Sequence, residues 1–362
     1  MRAASKGTFR AALAQPGARG AALVLAALYL SALLAPFLAP CDPLAPHDAG
    51  SHLPPNVSFV DSGGRVRAWP VVRTFERTHA GRDRWAARIG ADAPLELFVR
   101  GAPWEFALPG LPPLRSDLHL FGTGRDGPVP HLLGTDLRGR DLFARIVHGA
   151  RVSLTIGVVG VLVSFAIGLA VGGLSGWWGG RVDALLMRGC ELLMLLPGFY
   201  VLLALRSALP DTAGWSSGRV YLTVVVIVSA IWWAGLARAI RGQVLAIRTR
   251  DHVQAARALG AGTVRIVLRH LLPETLPFAL VTAALAVPGY VLMESGLSLL
   301  GLGIQEPEPS WGNLLAEATR VSQIADHPWM LIPGAFLCAA VAAFNVLGDG
   351  LRAALDPRAT PR

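Results

Sequence analysis

Lysine is nearly absent from this chain: 362 residues hold only Lys6, followed by Gly7 and Thr8. No strand or glycine-rich loop precedes it, so a phosphate-binding loop of the Walker type, whose lysine reaches the β- and γ-phosphates, cannot be built here. Any ATP hydrolysis that powers the protein belongs to another chain. Cysteine is scarce too. Cys41, Cys190 and Cys338 lie in or beside apolar stretches with no CxxC spacing, which indicates neither a metal knuckle nor a disulfide framework. Serine-centred GxSxG, HExxH and EF-hand patterns are missing. Five histidines (His47, His52, His79, His119, His131) fall within residues 41–147, but their spacing fits no ligand pair and they read as solvated or structural.

Charge is also thin. Only 16% of residues are charged and 53% are hydrophobic, so the bilayer is the natural solvent. Six apolar windows, 20–40, 152–174, 187–205, 219–237, 276–297 and 329–348, approach the ~20 residues needed to cross ~30 Å of hydrocarbon. The 152–174 window has no ionisable residue, whereas 187–205 contains Glu191 and Pro197, as a kinked helix inside a bundle can. The first window is read as a retained helix. Leu38-Ala39-Pro40-Cys41 approximates a lipoprotein cleavage box, but proline before the cysteine fits poorly and the apolar run is long for a signal peptide.

Basic residues sort the loops. Arg2, Lys6, Arg10 and Arg19 in the N-terminal tail, Arg181 and Arg188 in the 175–188 turn, and Arg352, Arg358 and Arg362 at the C-terminus are expected in the cytoplasm with the 238–275 loop. That loop holds seven arginines (Arg238, Arg241, Arg248, Arg250, Arg257, Arg265, Arg269) against Asp251 and Glu274. The net charge of +9 is therefore mainly a topology signal, and no basic patch interleaved with aromatics suggests nucleic-acid binding.

Residues 41–147 hold 12 acids and 13 arginines, with strand-like patches at Val57–Val60, Arg65–Arg67 and Leu95–Val99. They suggest a small β-containing extracytoplasmic domain, hinged by proline clusters at 40–55 and 109–113. The expected division is a tail 1–19, a first transmembrane helix 20–40, the insertion 41–147, a five-helix core 148–350 and a tail 351–362.

Within the 238–275 loop, Asp251 to Leu259 reads as a short helix carrying the small residues Ala255, Ala256 and Ala258, ended by Gly260 in a left-handed turn. A second helix is expected from Thr263, capped by its hydroxyl, with Val264, Val267, Leu268 and Leu271 on one face and Pro273 closing it. Gln254-Ala255-Ala256, Gly260 and His270-Leu271-Leu272-Pro273 resemble the EAA loop of ABC-importer permeases. Gly134-Thr135-Asp136-Leu137-Arg138-Gly139-Arg140-Asp141 resembles the GTDxxGRD signature of the C-type subunits of dipeptide and oligopeptide importers, with Arg151 beyond it expected at the headgroups. Gly176–Asp183 is similar to that family's GYYGGxxD turn and Glu294–Gly303 to its ExSLSFLGLG run. Pro309–Asn313, Asn345–Arg352 and Asp356-Pro357-Arg358 complete the series. Gln254 stands where the family usually has glutamate, and Arg138 where an apolar residue is common.

The resemblance implies an all-α integral membrane protein: a six-helix type I ABC importer permease bundle with an extracytoplasmic β-containing insertion after the first helix. It implies a bacterial inner-membrane location with both termini in the cytoplasm, and no catalysis or cofactor of the chain's own, ATP and Mg²⁺ belonging to partner subunits. Those partners would be a second permease, two ATP-binding subunits, a solute-binding protein and membrane lipid. Gln254, Ala255, Ala256, Leu259 and Gly260 would couple to an ATP-binding subunit, and Gly134, Thr135, Asp136, Gly139, Arg140 and Asp141 would form the outer family motif. Glu294 is read either as a helix-terminal hydrogen-bonding group or as a lining residue of the pathway or gate. Pro288-Gly289 and Pro333-Gly334 read as packing and kink sites. Peptides are the expected cargo, with nickel chelates or another small solute as the alternative. A stand-alone channel, secondary carrier or membrane sensor is the competing class. The chain lacks a clear inverted repeat of hydropathy for the carrier and a cytoplasmic output domain for the sensor.

Overall fold

A computed structural model describes residues 15–46, 50–78, 84–88, 91–106, 112–124, 127–208, 217–319 and 321–355. The tail residues Arg2, Lys6, Arg10, Arg358 and Arg362, the Asp356-Pro357-Arg358 motif, His47 and His79 lie outside the described residues. Among the described residues, four helices are long and apolar enough to cross a membrane: α3 (Leu142–Trp178), α6 (Ser217–Ile247, with its apolar span at Arg219–Ile247), α8 (Thr263–Leu299) and α11 (Pro328–Leu355). Shorter helices are α1 (Ala18–Leu33), α2 (Ala35–Leu38), α4 (Gly180–Leu195), α5 (Gly198–Ser207), α7 (Asp251–Ala258), α9 (Trp311–Glu317) and α10 (Val321–Asp326). The chain divides into two compact units, one of residues 1–26, 154–297 and 338–362, the other of residues 27–153 and 298–337.

In the first unit, α3 approaches α6 along a stripe of glycines spaced by four. A β-carbon at Gly168 would meet the Leu236 side chain, at Gly172 the Ala237 carbonyl at 2.4 Å, and at Gly176 the Val244 side chain. Backbones this close gain dispersion contacts that larger residues would forbid, the usual means of helix association in lipid. Ile240, Val244 and Ile247 of α6 then join Val253, Ile266, Val267, Leu271 and Ala279 in one buried cluster, which roots the 251–271 hairpin. Gly289, beside Pro288 within α8, is also a close-approach site, since a β-carbon there would lie 2.7 Å from the Trp232 ring.

Two sequence expectations change in this unit. The 187–205 window is not one kinked helix: α4 ends at Leu195 and α5 begins at Gly198, with Leu196 extended at φ −73°, ψ 131°. Pro197 crowds the residue before it out of the helical region, so the chain breaks there. Pro273 does not close the second loop helix. The helix passes through a π-turn over Val267–Leu271 and continues to Leu299. A wider turn accommodates a proline ring that would otherwise clash with the carbonyl four residues earlier.

The second unit contains β1 (Val57–Val60), β2 (Val66–Val72), β3 (Phe75–Thr78), β4 (Arg84–Ala87), β5 (Ala93–Pro94), β6 (Glu96–Phe106) and β7 (Leu114–Gly122). They form a three-stranded sheet of order β1-β2-β5 and two separate hairpins, β3-β4 and β6-β7. Val72, Leu95 and Phe121 are buried together against Val57, Leu132 and Phe143, tying the strands to the start of α3. Ala35, Ala39, Cys41, Ala144 and Val147 form a second cluster that joins α2 to the same helix.

Candidate functional site

The 134–141 turn is built around two glycines and one fully buried carboxylate. Gly134 and Gly139 have φ of +77° and +76°, which favour glycine, and a β-carbon on Gly134 would lie 2.5 Å from the Leu53 carbonyl. Thr135 accepts a hydrogen bond from the Leu53 amide (2.8 Å) and donates to the Gly50 carbonyl (3.2 Å). Asp136 Oδ1 accepts from the amides of Arg138 (2.8 Å) and Arg140 (2.9 Å), and Oδ2 accepts from Arg140 Nε (2.7 Å) and from Arg145. Asp141 stands at the entry of α3, accepting from the Ala144 amide at 2.6 Å and meeting His131 Nδ1 at 2.8 Å. All six motif residues thus face inward.

Around that turn the structure adds three residues that the sequence reading did not single out. Arg145 is fully buried, reaching Glu306 Oε1 at 2.5 Å and Glu317 Oε1 at 3.1 Å besides Asp136. Arg140 chelates Glu306 with both terminal nitrogens and lies 3.2 Å from Glu317 Oε1. Two guanidiniums therefore serve three carboxylates, with exposed Arg138 3.7 Å from Glu306. Burial raises the Glu306 carboxyl, but the hydrogen bond from Arg140 and the Arg145 charge outweigh it and bring it down to about 2. Glu317 goes the other way. Burial, together with the Asp136 and Glu306 charges, exceeds the pull of Arg145 and lifts it to about 7. Its Oε2, like Arg145 Nε, has no hydrogen-bond partner. Beside the cluster is an open cleft of about 500 Å³ lined in part by Arg138, Gln305, Glu306, Asn313 and Glu317.

The Pro309–Asn313 motif completes this region. Ser310 and Asn313 make a reciprocal capping box at the start of α9, and fully buried Trp311 donates from Nε1 to the Ile146 carbonyl at 3.1 Å. Asn313 Nδ2 donates to the Glu308 carbonyl at 2.7 Å.

The 251–271 hairpin is arranged differently. Val253 and Ile266 point into the core, whereas Leu259, Val264 and Leu268 are 88%, 70% and 61% exposed. Gly260 adopts φ +77° after α7, and nothing lies within 4 Å of where its β-carbon would be. Ala255 and Gln254 are exposed and Ala256 half-buried. Thr263 does not cap the second helix; Gly262 occupies that position without a side-chain bond. Val264 and Leu268 fall outside the buried face, which runs through Ile266, Val267 and Leu271. Gln254 Nε2 donates to the Arg248 carbonyl at 2.9 Å, and Glu274 takes Arg250 at 2.5 Å and His252 at 2.8 Å. The Gly176–Asp183 turn is fastened to the same stem, with Asp183 accepting from Ser175 (2.6 Å) and paired to Arg241, and Arg248 Nη1 donating to the Gly176 carbonyl at 3.0 Å.

Glu294 is fully buried in α8, with Ser295 Oγ 3.4 Å from its Oε2. Arg151, just inside the start of α3, reaches back to the end of α1. Its guanidinium donates to the Ala32 and Leu33 carbonyls at 2.6 and 3.1 Å. Those are orphan carbonyls of the last turn of α1, which a guanidinium satisfies better than water can at the edge of a bilayer. His119 sits between the Ala39 carbonyl (2.5 Å) and the Ala102 carbonyl (2.9 Å).

Long apolar helices define a multi-pass membrane protein, in which the charged turn is fastened inward and the basic hairpin is exposed. Residues 168–361 match the family model described as the binding-protein-dependent transport system inner membrane component. The chain belongs to this family, and it is a multi-pass protein of the inner membrane. It is 38% identical over 263 residues to the oligopeptide transport system permease protein OppC of Haemophilus influenzae, covering 72% of this chain and 80% of that protein. With the dipeptide transport system permease protein DppC of Bacillus subtilis it shares 42% over 229 residues, 63% of this chain and 69% of that one. With OppC of Escherichia coli the identity is 38% over 244 residues, 67% and 78% of the two chains.

Proposed function

We propose that this chain carries di- or oligopeptides inward as one of two permease subunits, driven by two ATP-binding subunits and supplied by a solute-binding protein outside. The names of its relatives support the cargo, with nickel chelates or another small solute as the alternative. In this reading the arginine-rich 238–275 loop and both termini are cytoplasmic, 41–147 is extracytoplasmic, and α4–α5 together with α1 bring the spans to six. The chain performs no covalent chemistry, and nucleotide and Mg²⁺ are held by the partners.

One observation carries the coupling role: a rigidly rooted hairpin that leaves Leu259, Val264 and Leu268 in the open on a basic surface. Apolar side chains exposed together on a loop that the core holds in place are what a partner-binding surface requires. Gln254, Ala255, Ala256, Leu259 and Gly260 dock on an ATP-binding subunit, whose closure moves α7 and, through Val253, the helices beneath it. Glu294, fully buried toward the end of α8, lines the pathway or its gate, with a helix-terminal hydrogen-bonding role as the alternative.

The test is Ala256→Glu and Gly260→Val in the reconstituted complex. Both should insert normally, while binding-protein-stimulated ATP hydrolysis and uptake are lost, because bulk at Ala256 and a strained turn at Gly260 displace the docking surface. The left-handed turn alone penalises valine by ~1–2 kcal/mol. Wild-type rates in both variants would remove the hairpin from the coupling role.

A further inference from the structure

The β6-β7 hairpin is fastened to the outer ends of the membrane helices in an order that fixes where it points. Near its base, His119 meets the Ala39 carbonyl and the Phe98 ring lies 6.3 Å from Phe37. Near its far end, the Arg151 guanidinium lies 4.8 Å from the centre of the Phe106 ring, while the same group holds the Ala32 and Leu33 carbonyls. Moving along the hairpin toward its tip therefore means moving back along the chain from Ala39 to Ala32, roughly 10 Å at helical rise. That is the direction of the bilayer. Residues 20–41 hold no charged side chain, and neither do 152–174, so Arg151 stands at the edge of the hydrocarbon.

The chemistry of the far end changes at the same level. Glu105 and Arg115 form a pair at 3.0 Å, exposed to solvent. Beyond that pair the sequence from Phe106 to Leu114 carries no charge, Phe106 pairs with Leu114 in register, and Leu114 is 60% exposed. Trp104 donates to the Leu118 carbonyl at 2.9 Å, leaving its ring on the same hairpin. Tryptophan, arginine and an uncharged apolar end at one depth are the composition of a membrane–water interface.

We infer that the far end of the β6-β7 hairpin, through Phe106 and Leu114, enters the headgroup–acyl boundary of the leaflet on the side of residues 41–147, anchoring that segment to phospholipid. The anchor depends only on the membrane location and not on the cargo or on the docking of the 251–271 hairpin.

The experiment uses the full chain with Cys41, Cys190 and Cys338 replaced by serine, reconstituted in phosphatidylcholine–phosphatidylglycerol vesicles. Leu114→Cys and, as reference, Val66→Cys, which is 80% exposed on β2, each receive an environment-sensitive fluorophore. At position 114 emission should be blue-shifted, quenched several-fold more by shallow spin-labelled lipid than at 66, and protected from aqueous iodide. Leu118→Cys, four residues farther from the tip along β7, should respond more weakly than 114. Iodide access at 114 equal to that at 66 would overturn the inference. So would protection from iodide without lipid quenching, which would place the hairpin against protein.

Discussion

The 134–141 turn and the 251–271 hairpin both carry family motifs, and they treat charge in opposite ways. In the turn, Asp136, Arg140 and Arg145 are almost completely buried and pair with one another and with Glu306 and Glu317. In the hairpin, Arg257, Arg265 and Arg269 are exposed, and so are the leucines around them. Buried charge must be paired within the chain because no water or partner can compensate it, so the first motif is a fastening of this chain to itself. Exposed arginines and leucines make no such demand, and the second motif is free to meet another molecule.

If the turn is a fastening, removing one cation should produce the largest effect. Arg145→Met leaves Asp136, Glu306 and Glu317 sharing Arg140, and an uncompensated buried charge costs ~3–5 kcal/mol. The 298–317 loop should lose resistance to proteolysis and the purified protein should unfold at a markedly lower temperature, while Arg265→Met in the hairpin should leave both unchanged. Equal effects in the two variants would erase the contrast between the regions.

Proton binding sharpens the same comparison. The folded Glu317 carboxyl, lifted to about 7, keeps a proton that the unfolded chain has already released above its ordinary carboxylate range. The native state thus binds more protons over that interval, and stability should fall as pH rises from ~4.5 to ~7, by roughly 2–3 kcal/mol. Glu306, held at about 2, acts in the other direction: its contribution is present above ~4.5 and lost as pH falls toward ~2. Glu317→Gln should flatten the thermal midpoint between pH 5 and 7 and leave the acid limb intact. A slope that survives the substitution would assign the titration to another group.

Much of this contrast was legible in residues close together in the chain, and little of it in residues far apart. The strand patch Val57–Val60 coincides with β1, and Gly260 takes the left-handed conformation expected at the end of a short helix. The glycines of the 134–141 motif suit the left-handed positions of a tight turn for the same local reason. Arg145, Glu306 and Glu317 carried no such signal, since each pairing spans 160 residues or more and depends on how the 298–317 loop returns to the turn. A weak cue existed in Arg145, which lies one helical turn beyond Asp141, on the face of α3 that the turn covers. The helix break at Pro197 was readable from the pre-proline restriction, but the π-turn before Pro273 was not, because a proline near a helix start and one that ends a helix look alike in sequence. Helical spacing groups Val264 and Leu268 on one face with Val267 and Leu271, which are buried. The π-turn shifts that register and turns Val264 and Leu268 outward.

The smallest expected effect concerns Gln254, where the hairpin departs from the family's glutamate. Its amide donates to the Arg248 carbonyl, joining α7 to the last turn of α6. Glutamate cannot donate there, and an exposed hydrogen bond of this kind is worth up to ~1 kcal/mol. Against that loss, a carboxylate in the first turn of α7 meets the positive end of the helix dipole and can pair with Arg257 three residues on, together ~0.5–1 kcal/mol. The two nearly cancel. Gln254→Glu should therefore keep stimulated ATP hydrolysis close to the wild-type rate in the same assay in which Ala256→Glu abolishes it. A loss as complete as that of Ala256→Glu would mean that the bond to Arg248, rather than the small-residue surface, sets the position of the hairpin.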